Sequence, residues 1–188
     1  MEKTLKQQPS TCLKIVLFGP ESTGKTTLAK QLAEHFNTLW VPEYMREYLQ
    51  QKWDSKGEKC AVDDLMPIAE GQMQAENEAA KLVTELLICD TNLLEISIYS
   101  QYYYNGFCPD EIKKYAKENT YDLYFLTSVD VPWKVDDLRD RPYERQKMFR
   151  TFETQLKDYQ FKFQILKGSE VERFLSAVEK ITELLKEK

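Results

Sequence analysis

Between Gly19 and Thr26 the chain reads Gly-Pro-Glu-Ser-Thr-Gly-Lys-Thr, which satisfies the pattern G-x-x-x-x-G-K-[ST]. The chemistry of that spacing is the holding of phosphate. Glycines let the backbone turn so that successive N–H groups point inward as an anion nest, and a following helix adds the partial positive charge of its N-terminus. The expected nucleotide-binding set is Gly19, Pro20, Glu21, Ser22, Thr23, Gly24, Lys25, Thr26 and, one step into the helix, Thr27. Lys25 is expected to reach the β- and γ-phosphates of ATP, and the Thr26 hydroxyl to ligate Mg²⁺. The context supports this: apolar Leu13–Phe18 reads as a strand and an amphipathic run begins near Lys25. Without that context the pattern is an ordinary strand–helix turn.

In open α/β sheets a ligand lies beyond the carboxyl ends of the strands, so polar residues just after each apolar run carry the information. Asp90 follows Leu-Leu-Ile-Cys and matches a position that holds Mg²⁺ directly or through water; its alternative is a cap for the next helix, which Thr91 or Asn92 supplies equally well. Glu43 follows Leu-Trp-Val-Pro on the acceptor side. A carboxylate there accepts the proton of an attacking hydroxyl or bonds a sugar diol; otherwise it is a favourable acid in a helix's first turn. Arg46 is the one candidate on that side for an anionic acceptor. Arg139, Arg141 and Arg145 lie in the segment from Lys134 to Lys147. Such arginines on a flap neutralise charge in phosphoryl transfer and exclude water, although interleaved acids also fit a solvated helix start. Tyr99, Tyr102, Tyr103 and Tyr104 line a ring pocket or pack into a core, with Trp133 of similar standing. Lys167-Gly168-Ser169 is either an adenine contact or a plain turn.

The elements that must position these groups alternate between short apolar runs and longer amphipathic ones. That is the pattern of an α/β fold with an open parallel sheet flanked by helices. Five strands are predicted, at Leu13–Phe18, Thr38–Val41, Leu86–Cys89, Leu123–Thr127 and Lys162–Leu166. Helices are expected over Gly24–Phe36, Glu43–Gln51, Asp64–Thr84, Leu93–Tyr103, Asp110–Glu118, Arg141–Tyr159 and Val171–Lys186. Asp63 or Asp64 is expected to cap the third helix, and the polar stretch Asp54–Asp63 to be a surface loop.

The 188 residues suffice for one domain with a full core, here residues 11–188, after a polar lead-in over 1–10 expected to be disordered. Hydrophobic residues make up 42% and charged ones 30%, as in a cytoplasmic globular protein, and no run of about 18 apolar residues exists to span a membrane. A net charge of −5 argues against a nucleic-acid partner. The single histidine excludes histidine triads and multi-histidine metal sites, and four scattered cysteines form no CxxC pair.

The stretches GPESTGKTTL, VPEYMREYL, LLICDTN and VPWKVDDLR, in that order and spacing, resemble the ribosylnicotinamide kinase domain of NadR-type proteins. The resemblance implies a P-loop kinase with an arginine-bearing lid over about 134–147. It also implies ATP-dependent phosphorylation of the 5′-hydroxyl of nicotinamide riboside, a step of NAD biosynthesis. Carried across, Lys25 and Thr26 hold phosphate and Mg²⁺, Glu43 and Asp90 face substrate and metal, and Arg139 belongs to the lid. Adenylyltransfer and repression, which belong to other portions of such proteins, are not expected to carry over. The family's aromatic clamp on the nicotinamide ring is also unmatched, because Pro42 and Glu78 stand at its places. Two other functions remain open from sequence: a kinase for another nucleoside, vitamin-like compound or monophosphate, and a non-catalytic ATP-binding regulatory module. An oligomeric AAA motor needs a helical lid domain for which the chain has no room, and no guanine-recognition motif is present.

Overall fold

The structure, a computed structural model, describes residues 4–188 except Asp137, Arg139, Asp140 and Pro142. Five parallel strands, β1 (Leu13–Phe18), β2 (Leu39–Val41), β3 (Leu86–Asp90), β4 (Leu123–Thr127) and β5 (Phe163–Leu166), form one sheet in the order β2-β3-β1-β4-β5. The α-helices are α1 (Lys25–His35), α2 (Tyr44–Lys56), α3 (Leu65–Ala80), α4 (Leu93–Tyr103), α5 (Asp110–Glu118), α6 (Arg145–Asp158) and α7 (Glu170–Glu187). The predicted P-loop α/β architecture is the observed one.

Alternation along β1 builds both layers. Leu13, Ile15 and Leu17 pack with Leu28 and Leu32 of α1 and Ala177 and Ile181 of α7. Val16 and Phe18 face the opposite layer, with Ile68 and Met73 of α3, Leu94 and Ile98 of α4 and Phe152 of α6. A strand buried on both faces has no solvent side, which is why these runs read as continuously apolar.

Several boundaries differ from expectation. α2 continues to Lys56 and stops where Gly57, at φ 65°, returns its N–H to Trp53 O, so the loop is shorter than Asp54–Asp63. Asp64 does not cap α3. Its carboxylate accepts instead from Lys52 Nζ (2.7 Å), the Ala61 N–H (2.7 Å) and the Tyr48 hydroxyl (3.1 Å), tying the α2–α3 corner together. Nor do residues 4–10 form the disordered lead-in expected from their polarity. Leu5 is buried in the core, the Gln7 side chain donates to Glu76 (2.8 Å), and the Gln8 N–H donates to the Asn77 side chain (2.8 Å). The segment keeps Lys6, Gln8 and Ser10 exposed but is anchored to α3 through the Gln7 side chain and the Gln8 N–H.

Candidate active site

The phosphate loop joins the central strand β1 to α1. Gly19 (φ 134°), Ser22 (φ 56°) and Gly24 (φ 87°) all have positive φ, so the loop turns repeatedly in a region that favours glycine. A Cβ on Gly19 would stand 2.8 Å from Thr127 Oγ1 and 3.1 Å from Thr127 O, which makes glycine obligatory by approach as well as by φ. Inside the turn the buried Thr23 hydroxyl donates to Pro20 O (2.7 Å) and meets Thr127 Oγ1 at 2.6 Å. Glu21 N–H donates to the Tyr99 hydroxyl (3.0 Å), and Ser22 Oγ accepts the N–H of Lys134 (2.8 Å). Thr27 lies exposed on the first turn of α1.

Register places the acids. β1 and β3 are neighbours with Leu17 opposite Asp90, so the residue ending β3 stands beside the loop that leaves β1. Thr26 Oγ1 donates to Asp90 Oδ2 at 2.5 Å. Asn92, not Asp90, caps α4, accepting the N–H groups of Leu94 and Glu95. Asp90 Oδ1 is buried and has no hydrogen-bond partner among the described residues. A hydroxyl and an unsatisfied carboxylate oxygen side by side suit Mg²⁺, which takes one or two protein oxygens and fills its octahedron with water and phosphate. Among the described residues no cluster of three or more His, Cys, Asp or Glu is arranged as an all-protein metal cage.

Lys25 is buried, and its ammonium donates to Gly19 O (2.7 Å) and Pro20 O (3.1 Å) and pairs with Glu95 Oε1 at 3.2 Å. Burial works to lower its pKa, but Glu95, Glu43 and Asp90 together outweigh it and leave the lysine more firmly protonated than usual. The carboxylates are raised too, which for an acid favours the neutral form. Burial, and then the Glu43 charge, raise Asp90 to about 6 against the pull of Lys25. Burial likewise raises Glu95 to about 8, with Lys25 opposing and Glu43 and Asp90 adding.

Glu43 precedes α2 at the acceptor edge, half-buried. Gln72 of α3 fixes it from both sides: its Oε1 accepts the N–H of Tyr44 (2.8 Å) and its Nε2 donates to Pro42 O (3.3 Å). So this polar residue of α3 serves the chain around Glu43. Glu78 is exposed and accepts from Gln74 (3.0 Å). Arg46, on the next turn, pairs with Asp136 of the Lys134–Lys147 segment (2.8 Å). Arg139 lies outside the described residues. Its neighbours are engaged: Arg145 donates to Ser22 O (3.2 Å) and Val131 O (3.0 Å) while lying over Trp133, and Arg141 lies over the rings of Tyr102 and Tyr103.

Three residues at this site escape the sequence reading. Glu95 falls on a helix start that is otherwise apolar. Thr127 ends β4 just as Asp90 ends β3, and the same strand-end rule finds it. Arg173 carries more of the architecture. Its guanidinium donates to Thr23 O (2.6 Å), Gly168 O (3.0 Å) and Ser128 O (3.0 Å) and pairs with Asp130, joining the loops after β1, β4 and β5. Its signal is spacing: Arg173, Ala177 and Ile181 share one buried stripe of α7.

A phosphate loop on the central strand of a parallel sheet, with an acid at the end of the neighbouring strand, defines a P-loop nucleotide-binding domain of the kinase type. Residues 14–173 match the family model AAA_28, described as an AAA domain, and the chain belongs to that family. The trifunctional NAD biosynthesis/regulator proteins NadR of Salmonella typhimurium and Escherichia coli are 27% and 26% identical over 176 residues, 92% of this chain. The chain spans 43% of the length of each. A crystal structure of NadR protein in complex with NR superposes with a TM-score of 0.78 at 21% identity, over 92% of this chain and 51% of that one. Deoxyadenosine kinase from M. mycoides with bound dATP gives 0.60 at 18% identity, over 90% and 99% of the two chains.

Proposed function

We propose that the protein is an ATP-dependent phosphotransferase that moves the γ-phosphoryl group onto a hydroxyl of a nucleoside-like acceptor, nicotinamide riboside by its likeness to NadR. The observation that carries this reading is the Thr26–Asp90 hydrogen bond with Glu43 and Lys25 around it. It supports the reading because Lys25, Thr26, Asp90 and Glu43, the candidates for phosphate grip, metal oxygens and base, lie together. Thr26 and Asp90 would hold Mg²⁺, which on binding would draw charge from the transferring phosphoryl oxygens. Lys25 neutralises phosphate charge at a site dry enough for that charge to count. Glu43 accepts the proton of the acceptor hydroxyl. The Lys134–Lys147 segment, tied to Ser22 through the Lys134 N–H and Arg145, acts as the lid that keeps water from competing.

Relatives support the two ligands: NadR structures were obtained with NR, and with NAD and AMP-PNP. For a monophosphate acceptor the candidate cation is Arg46, which pairs with Asp136 in this structure, and the panel below includes monophosphates for that reason. The test is mass-spectrometric detection of product from Mg–ATP and a panel of nucleosides and their monophosphates. Phosphorylated nicotinamide riboside or a related nucleoside is expected. Folded, ATP-binding protein that transfers phosphate to no nucleoside would overturn the reading.

A further inference from the structure

Glu95 has no place in the phosphotransfer scheme above, yet it is the acid in direct contact with the phosphate-loop lysine. Its side chain is 2% exposed, one oxygen faces Lys25 Nζ at 3.2 Å, and the other, Oε2, is buried without a partner among the described residues. An ammonium has three donors, and here Gly19 O, Pro20 O and Glu95 Oε1 occupy them. The two carbonyls belong to the loop that wraps the phosphates. Glu95 is the anion, so it competes with phosphate for the same charge.

When phosphate takes Lys25, a carboxylate at Glu95 loses its counter-charge in a dry site. The groups facing it are then Glu43 before α2, Asp90 at the end of β3 and the Tyr99 phenol on its own helix. Two of these are acids, and none of the three side chains supplies a counter-charge. Uncompensated buried charge costs several kcal/mol, and a carboxylate relieves it by taking a proton. We propose that Glu95 is the resident counter-ion of Lys25, that the nucleotide's phosphates displace it, and that nucleotide binding draws a proton from solvent onto its carboxylate. The new O–H is a donor where an anion would repel phosphate. With Lys25 in place burial already holds this group near 8, so the counter-ion role and the proton uptake belong to the alkaline side of that value, and below it the free protein already carries most of the proton.

The inference rests on the nucleotide reading of the phosphate loop, and the experiment separates the two. Titration calorimetry with Mg–AMP-PNP, repeated in buffers of different ionisation heat, counts the protons exchanged. At pH ~8.5 the nucleotide phosphates are ionised before binding, since phosphate titrates near 6. Lys25 and Tyr99 do not change state there, because both are held above their ordinary values. For a group near 8, linkage gives uptake of roughly 0.7 proton at pH ~8.5 and roughly 0.1 at pH ~7, with affinity falling roughly tenfold between pH ~7 and pH ~9. Glu95→Gln should bind the nucleotide with no uptake and with affinity flat over that range. Binding without uptake by the unaltered protein, or uptake that persists in Glu95→Gln, overturns the proposal. If Glu95→Gln does not fold, the proton count of the unaltered protein decides alone, and a count that does not fall from pH ~8.5 to pH ~7 overturns it. Failure to bind nucleotide overturns the kinase reading itself.

Discussion

Under the proposed function Asp90 serves the reaction rather than stability, and the two roles predict different behaviour. Its Oδ1 is buried without a hydrogen-bond partner among the described residues, and Glu43 and Glu95 lie close enough to perturb or be perturbed by it. A protein selected only for stability would not keep that charge there. The isosteric change Asp90→Asn removes one charge from the acidic group and leaves an oxygen to accept from Thr26. We expect the variant to be more stable than the unaltered protein, by about 1–3 kcal/mol, in thermal melts with chelator present. Phosphorylation of the acceptor should fall by at least about 100-fold, because an amide is a poor Mg²⁺ ligand beside a phosphate. A variant that melts earlier, or one that keeps full turnover, would show that Asp90 is a structural acid.

At the scale of elements, the spacing of α2 and α3 would set the proposed acceptor side. Gly71 lies against the Tyr44 ring, and a Cβ there would stand 2.1 Å from Tyr44 Cε1. Helix propensity alone favours Gly71→Ala by about 1 kcal/mol, but overpacking of this kind costs about 1–3 kcal/mol. The contact therefore wins, and the variant should be less stable by chemical denaturation. Because Tyr44 adjoins Glu43, the acceptor KM should rise roughly tenfold while nucleotide affinity holds, a split that a loss of fold would not produce. The corner beyond it is held by Asp64. Burial raises that carboxyl, but the bonds from Lys52, Ala61 and Tyr48 outweigh it and hold it below the ordinary 3.8. A depressed folded value means the contribution is present above pH ~3.8 and lost as pH falls through the folded pKa. Asp64→Asn should cost about 1–2 kcal/mol at pH ~7, and the gap should close in acid melts. These examples also mark what a linear reading reaches. Apolar runs and the phosphate loop are local patterns, so all five strands and the Asp90 position follow from them. The partners of Asp64 are on another helix, Glu95 meets Lys25 only because β1 and β3 are adjacent, and Arg173 serves three loops separated in sequence. Contacts made by the sheet order leave no trace in spacing along the chain.

The whole molecule has two polar ends with different duties. At the carboxyl ends of the strands, β2, β3, β1 and β4 lie in sequence across the sheet and bring Glu43, Asp90, the phosphate loop and Thr127 to one crevice. Near the start of β1 a separate buried network forms: Lys14 pairs with Glu76 (2.9 Å), which also accepts from Gln7 and from the Tyr121 hydroxyl (2.8 Å). The Asn119 side chain donates to Leu5 O (2.9 Å) and accepts the Gln7 N–H (3.1 Å), fastening the N-terminal segment over it. Removing residues 1–10 takes away the Leu5 side chain, worth about 2–5 kcal/mol at a core position. It also uncovers the Lys14–Glu76 pair and leaves Asn119 without these partners. We expect a loss of at least about 3 kcal/mol by urea denaturation, a large share of a marginal stability. The crevice lies at the other end of the sheet, so nucleotide affinity should not change. Stabilisation by AMP-PNP at 100 times its Kd should stay near 2.7 kcal/mol in both proteins. Equal stability of the shortened chain would return the segment to the disordered lead-in its composition suggests. A reduced nucleotide increment would mean that the two ends are coupled through β1.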